Sequence, residues 1–285
     1  MDEFLKLLEL VLGIFEVGQS PQAFLVLFGL CFARFVSFVA IVPFFGGAVV
    51  PSQVKIALAT ALVIITYPSL LPELPTDGSP LAFGAAGFIG LIAKEAFVGF
   101  TLGFVVSLVF EAIQVAGRLA DFQRGSTMSE LFSPQLQERV SELGQFNIQL
   151  AIAIFLLSGA HMAFIRTLVT SYEYIPALKF PNIEPGWVPA AEFVTLMTGS
   201  VLSLGIQLAL PIVVTLLLTD LFFGLINRAA PQVNVFFLSM PVKMWLGIFA
   251  ALLILPFMVE RFGDLFEMSH DAFEYMIQFF AKMYR

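Results

Sequence analysis

The residues of this chain that are most able to do chemistry are polar side chains inside strongly apolar runs. The densest set lies in residues 210–243, LPIVVTLLLTDLFFGLINRAAPQVNVFFLSMPVK. Polar groups in hydrocarbon are costly, so they persist only where protein or water satisfies them. On a helix, Asp220, Gly224 and Asn227 fall on one stripe, with Arg228 beside it. Two readings of the stripe stay open: a polar joint against a partner subunit, or a polar contact within the chain itself.

We call the ten polar or kink-forming residues of this kind the candidate seam. A lone cation such as Arg34, in the middle of its apolar run, needs a partner or a wet cavity. The candidate seam comprises Arg34, Lys55, Lys94, Glu95, Asp220, Asn227, Arg228, Pro231, Gln232 and Lys243.

Residue types suited to catalysis or cofactor binding are scarce. The sequence contains no HExxH, GxGD, GxSxG or Walker A motif, which disfavours an intramembrane enzyme or an ATPase. Cys31 is the only cysteine, and His161 and His270 are the only histidines. We therefore expect no catalytic residues, no metal and no cofactor. The net charge of −7 also argues against nucleic acid as a partner.

The elements that position these residues are predicted to be membrane helices. The chain has 285 residues, 59% of them hydrophobic and 12% charged, whereas soluble domains have about 25% charged residues. The 33 Phe and 10 Met indicate large, adaptable contact areas. We predict an all-α membrane protein with about six apolar segments.

Two apolar runs are too long for ordinary membrane spans. Residues 81–122 contain no proline, and a helix of that length would reach about 60 Å, twice a hydrocarbon core of about 30 Å. Residues 190–226 have the same excess, with only Pro211 to kink them. We expect long helical hairpins that are partly buried in a protein assembly.

Within the first of these long runs, two shorter patterns are ambiguous. Gly99 and Gly103 form a GxxxG step, which is a weak signal in a glycine-rich apolar chain. Further on, polar residues recur every three or four positions, as expected for one helix face. A solvated helix end and a functional site explain this polar stripe equally well; its members are Glu111, Gln114, Arg118 and Asp121.

Composition divides the chain into three parts. Residues 1–20 form an amphipathic segment that either lies on the bilayer or docks on a partner, and residues 21–259 form the helical membrane domain. Residues 260–285 form an amphipathic tail. Its apolar face (Phe262, Leu265, Phe266, Phe273, Met276, Ile277 and Phe280) opposes Asp264, Glu267, Asp271, Glu274 and Lys282.

Four ordered stretches resemble the innermost export-apparatus proteins of type III secretion. They are ARFVSFVAIVPFFGGAVVPSQVKIALA, KEAFVGFTLGF, AGRLADFQRGSTMSELFSP and TDLFFGLINRAAPQVNVFFLSMPVK. The resemblance covers about residues 21–260. That family has an injectisome branch (SctT type) and a flagellar branch (FliR type). DFQRGSTM, and the GG after PFF, are more similar to the injectisome branch.

The resemblance implies a structural role in the export gate of the bacterial inner membrane. Such proteins assemble with two smaller membrane proteins, of the SctR/FliP and SctS/FliQ types, and with an SctU/FlhB-type switch protein. The assembly lies in the basal body and admits unfolded secreted proteins. The resemblance further implies that the segment after the third apolar run plugs the closed pore. In this sequence the plug would comprise Phe122, Gln123, Arg124, Gly125, Met128 and Pro134.

The other class that the residues allow is an ion-coupled secondary transporter. Intramembrane charges such as Arg34, Glu95 and Asp220 would suit ion coupling. A weak internal repeat supports this class, because Lys55 and Lys243 each precede a proline by the same number of residues. The charges, however, do not pair across the two repeated segments.

Overall fold

The computed structural model describes residues 21–45, 47, 50–70, 84–126, 141–182 and 188–284. All the regular structure in these ranges is helical, which confirms the prediction of an all-α protein. Two short 3-10 helices, Pro43–Phe45 and Lys282–Tyr284, accompany seven α-helices. The α-helices are α1 (Pro21–Ile41), α2 (Ser52–Leu70), α3 (Ala85–Arg124), α4 (Glu142–Leu157), α5 (Ala160–Tyr174), α6 (Val188–Ala229) and α7 (Val235–Ala281).

The helices account for the predicted number of apolar segments. Four of those described, α1, α3, α6 and α7, are long and apolar enough to cross a membrane. The α4–α5 pair passes the same test when taken together, as a broken span or a re-entrant loop, and α2 is a shorter apolar helix. The chain is therefore a multi-pass membrane protein.

The long runs form unbroken helices, as the absence of prolines in residues 81–122 predicts for α3. The helices α3, α6 and α7 contain 40, 42 and 47 residues. At about 1.5 Å per residue, each is about twice as long as a hydrocarbon core is thick. Pro211 lies inside α6, and Pro241 and Pro256 lie inside α7. These prolines remove single backbone donors without ending either helix.

The sequence predicts one apolar run over residues 143–171, but the structure has two helices there. α4 ends at Leu157 with Ser158 as its C-cap, and Gly159 has a φ of +75°. This left-handed conformation suits glycine, which has no Cβ to clash with the backbone. The Ser-Gly pair in an otherwise apolar run is the sequence signal for the break.

The amphipathic tail starts within α7, because that helix continues without interruption from Val235 to Ala281. Its seven predicted apolar-face residues are all buried, and its five polar-face residues are all exposed. The division at residue 260 stays a prediction, since the backbone shows no break there. The predicted N-terminal segment 1–20 lies outside the described residues.

Two compact units share these helices, and each has its own packing core. The first contains residues 1–107, 162–190 and 272–285, and the second contains residues 108–161 and 191–271. In the first unit, α1 contacts α2 through Phe24 and Tyr67, whose ring centroids lie 4.7 Å apart. Phe273 of α7 packs against Phe38 of α1 and Phe164 of α5, at 5.7 Å from each.

The core of the second unit is also aromatic and aliphatic. Phe266 of α7 packs against Phe110 and Phe155, with centroid distances of 5.7 and 4.9 Å. A second cluster joins Ala120 of α3 to Ile212 and Leu216 of α6. Burial of these side chains holds α3, α4, α6 and α7 together in this unit.

The GxxxG step is the contact point of α3 with α1. A Cβ on Gly99 would collide with the carbonyl oxygen of Arg34, and its distance from the Arg34 carbonyl carbon would be 3.0 Å. A Cβ on Gly103 would lie 3.2 Å from the carbonyl oxygen of Phe38. The absent side chains let the two backbones touch, which is the usual role of small residues in membrane helix packing.

Gly99→Ala is expected to destabilise the protein by about 1–3 kcal/mol, because the methyl group would have to push α1 away from α3. Gly103→Ala should cost less, since its closest contacts are a few tenths of an ångström too tight. Gly199→Ala is the matched control, because nothing lies within 4 Å of its Cβ position. Thermal unfolding in detergent checks the order. Equal midpoints for Gly99→Ala and Gly199→Ala would contradict the contact.

Candidate functional site

The first candidate cluster is built around Arg34, whose side chain is completely buried in the first unit. Its Nε and Nη2 donate to the two carboxylate oxygens of Glu95, at 2.5 and 3.0 Å. Nη1 donates to the hydroxyl of Ser171 at 2.9 Å, and Nη2 also donates to the carbonyl of Ile175 at 2.8 Å. The guanidinium lies 3.8 Å from the ring centroid of Tyr172. The partners that Arg34 needs are therefore polar groups of the same chain, contributed by α3, by α5 and by Ile175 after α5.

Lys94 extends this cluster to the chain that follows α5. Its Nζ lies 2.7 Å from the Glu95 carboxylate. It also donates to the carbonyls of Pro176, Ala177 and Lys179, at 2.8, 3.0 and 3.1 Å. Carbonyls beyond a helix end have no intrahelical donor, and the ammonium supplies hydrogen bonds to these groups.

The charge balance of the cluster makes Glu95 its central residue. Two cations share one carboxylate, so removal of Glu95 would remove an ion pair from both. Breaking a buried ion pair by removing one partner costs about 3–5 kcal/mol. All the charged groups are engaged with one another or with fixed polar groups. This arrangement fixes α1, α3 and the end of α5 and leaves no reactive group free.

The second candidate cluster joins three helices of the second unit through Asp220. One oxygen of the Asp220 carboxylate lies 2.8 Å from Nζ of Lys243 on α7. The other accepts from Lys243 and from the side-chain amide of Gln123, both at 3.0 Å. For Asp220 and Lys243, the structure thus shows the contact within the chain that the sequence left as one of two readings.

The rest of the predicted stripe faces an open cavity. A cavity of about 530 Å³ is lined by Asp220, Gly224 and Asn227 of α6 and by Pro231 and Gln232. Nothing lies within 4 Å of a Cβ built on Gly224. The three stripe residues therefore line one cavity, and the position of a Gly224 side chain is open among the described residues.

Two members of the candidate seam lie apart from both clusters. Lys55 donates to the carbonyl of Ala40 at 3.3 Å, so it ties the start of α2 to the end of α1. Arg228 is exposed near the end of α6. Among the described residues, the candidate seam is therefore divided into several separate contacts.

The predicted plug residues begin in the last turn of α3. Phe122 is 69% exposed, Gln123 contacts Asp220, and Arg124 is buried. Gly125 has a φ of +81° and ends the helix. Met128 and Pro134 lie outside the described residues.

Arg124 pairs with Asp121 at 2.6 Å and with Glu142 at 3.3 Å. The sequence placed Asp121 in the polar stripe of α3 without distinguishing it from Glu111 and Arg118. Those two are exposed, whereas Asp121 is 2% exposed.

Ser171 and Tyr172, which contact Arg34, were missed entirely, since no pattern in the sequence indicates which helix meets Arg34.

Among the residues that the structure describes, no three His, Cys, Asp or Glu side chains come together as metal ligands. The fold and its charge clusters define a multi-pass membrane protein whose internal charges serve packing. The similarity of the chain to known proteins identifies its family. The chain belongs to the bacterial export proteins, family 1, whose family model matches residues 25–269.

Relatives of the chain include both flagellar and secretion-system proteins. The flagellar biosynthetic protein FliR of Pectobacterium carotovorum subsp. carotovorum is 30% identical over 244 residues, 84% of this chain and 90% of that protein. The secretion system apparatus protein SsaT of Salmonella typhimurium is 27% identical over 252 residues, 86% and 93% of the two chains. The Yop proteins translocation protein T of Yersinia pestis is 32% identical over 189 residues, 65% and 69% of the two chains.

A charge swap tests whether Asp220 and Lys243 pair within the chain. Asp220→Lys and Lys243→Asp alone are each expected to destabilise the purified chain by about 1 kcal/mol, because each puts like charges together at a partly exposed site. The double swap should recover part of that loss in thermal unfolding. Asn227→Lys is the control, since it adds a lysine at an exposed position of the same helix. A double variant whose loss equals the sum of the single losses would contradict the pairing.

Proposed function

We propose that this chain is a structural subunit of the export gate of a type III protein secretion system, located in the bacterial inner membrane. The observation that carries the proposal is the family match over residues 25–269. Relatives named for secretion apparatus and for flagellar biosynthesis align with most of the chain. The role is structural rather than enzymatic, in keeping with internal charges that are used for packing.

The exterior of the chain supports a role in an assembly. In the most apolar windows of α6 and α7, 28% and 17% of residues are buried, against 61% in α3. These two helices are also far longer than a bilayer requires. Exposed apolar surface on helices that extend beyond the hydrocarbon needs protein to cover it.

The partners that fit this surface are the membrane subunits of the export apparatus. We propose the two smaller proteins, of the SctR/FliP and SctS/FliQ types, and the SctU/FlhB-type switch protein. The open stripe at Gly224, with Asp220 and Asn227 beside it, suits close approach of a partner helix and a hydrogen bond across it. Unfolded secreted proteins pass through the assembled gate. A chain with 33 Phe and 10 Met supplies adaptable contacts for many unrelated sequences.

The residue pattern favours the injectisome branch over the flagellar branch. DFQRGSTM begins at Asp121 in the last turn of α3 and is more similar to the SctT type. Identities to relatives from the two branches, 27–32%, are too close to choose between them. A flagellar FliR-type subunit is the alternative within the family.

The plug of the closed pore is assigned to the segment that begins at Phe122. Its first residues hold fixed positions, since Gln123 contacts Asp220 and Arg124 contacts Asp121. The exposed ring of Phe122 and the predicted member Met128 are apolar groups of the type that can close a passage without a specific pocket.

Deletion of residues 127–132 from the assembled complex tests the plug. Ion conductance of the complex in a planar bilayer should rise above the closed baseline, because a shorter segment cannot fill the passage. Deletion of residues 74–79, a sequence of LPTDGS before the third apolar run, is the control of equal length. Unchanged conductance in the 127–132 deletion, with all partners still copurifying, would contradict the assignment.

A further inference from the structure

One buried residue, Asp121, contacts the described residues on both sides of residues 127–140. Asp121 lies in the last turn of α3 and is 2% exposed. Its backbone carbonyl accepts from the backbone N–H of Ser126 at 3.2 Å and from the Ser126 hydroxyl at 3.0 Å. Ser126 is the last described residue before the segment.

The carboxylate of Asp121 contacts the start of α4. One oxygen accepts from the hydroxyl of Ser141 at 2.7 Å and from the backbone N–H of Leu143 at 2.8 Å. Ser141 is the first described residue after the segment and the N-cap of α4, where its hydroxyl also accepts from the N–H of Gly144. The other carboxylate oxygen pairs with Arg124 at 2.6 Å.

The backbone around Asp121 is shaped to keep these contacts. Gly125, with a φ of +81°, donates to the carbonyl of Phe122, while Ser126 donates to that of Asp121. This pair of bonds is a Schellman ending, which sets the direction of the chain as it leaves α3.

The helices on either side of the segment also touch directly. A Cβ on Gly117 of α3 would collide with the backbone of Gly144 in α4. The alkyl part of Arg124 packs on Gly247 of α7, where a Cβ would lie 2.6 Å from its Cδ. The end of α3 and the start of α4 therefore meet at a tight contact, and Asp121 lies at its centre.

We propose that Asp121 is a positioning residue that clamps the end of α3 to the start of α4, so that Ser126 and Ser141 keep a fixed separation. Because charge-assisted hydrogen bonds are the stronger ones, the ionised carboxylate suits the task better than an amide would. The consequence for the pore rests on the proposed plug function, but the clamp itself does not.

The clamp is tested by measuring the distance between spin labels on α3 and α4 in the assembled complex. Cysteines replace the exposed Phe122 and Phe146, while the buried Cys31 is shielded from the reagent. The parent complex should give a narrow distance distribution. Asp121→Ala should broaden it and shift its mean outward. Asp121→Asn should do so less, because an amide oxygen still accepts from Ser141 and Leu143.

Asp264→Asn is the matched control, since Asp264 pairs with Arg261 at the same spacing of three but is exposed. It should leave the distribution as narrow as in the parent. If Asp121→Ala does not assemble, Asp121→Asn decides the question. A parent-like distribution in the Asp121 variants would overturn the clamp.

Conductance of the same complexes separates the clamp from the plug. Ion leakage in the Asp121→Ala complex, together with a broadened distribution, supports both proposals. If the 127–132 deletion does not leak but the Asp121 variants broaden the distribution, the plug fails and the clamp stands. If the deletion leaks and the Asp121 variants keep a narrow distribution, the clamp fails and the plug stands.

Discussion

The first unit of this protein depends on the need to satisfy one buried guanidinium. Arg34 sits in an apolar helix with no exposed atom, and its hydrogen bonds reach α3, α5 and the residue after α5. Hydrocarbon offers no substitute for these partners. These hydrogen bonds therefore require α1, α3 and α5 to pack in one arrangement. The close backbone contact at Gly99 lies at the carbonyl of this same Arg34, so packing and charge select the same register.

In the second unit, two buried or partly buried carboxylates likewise join several helices. Asp220 gathers Gln123 and Lys243, and Asp121 gathers Ser126, Arg124, Ser141 and Leu143. Both carboxylates act near the end of α3, where the chain enters segment 127–140. Polar groups are thus concentrated at joints between helices, while the outward faces of α6 and α7 remain apolar. That division fits a subunit built to be covered by other proteins.

Composition and periodicity predicted the helices well, because long apolar runs allow few other structures in a membrane. They predicted the excess length of α3 and the two faces of the tail for the same reason. They could not predict that Arg34 meets Glu95, which is 61 residues away, since periodicity does not say which helices are neighbours. The break at Gly159 was missed because a single Ser-Gly pair is a small signal in a long apolar run. The burial of Asp121 was missed because its neighbours in the stripe, Glu111 and Arg118, are exposed.

The proposed function requires that the apolar outer faces of α6 and α7 contact sister proteins rather than lipid. A photo-crosslinking amino acid at Trp245, which is 76% exposed, tests it most directly in cells that express the whole secretion system. The same group at Leu216, which has no exposed surface, is the control. The account predicts adducts with the other export-apparatus membrane proteins from position 245 and none from position 216. Adducts with lipid alone from position 245 would contradict it.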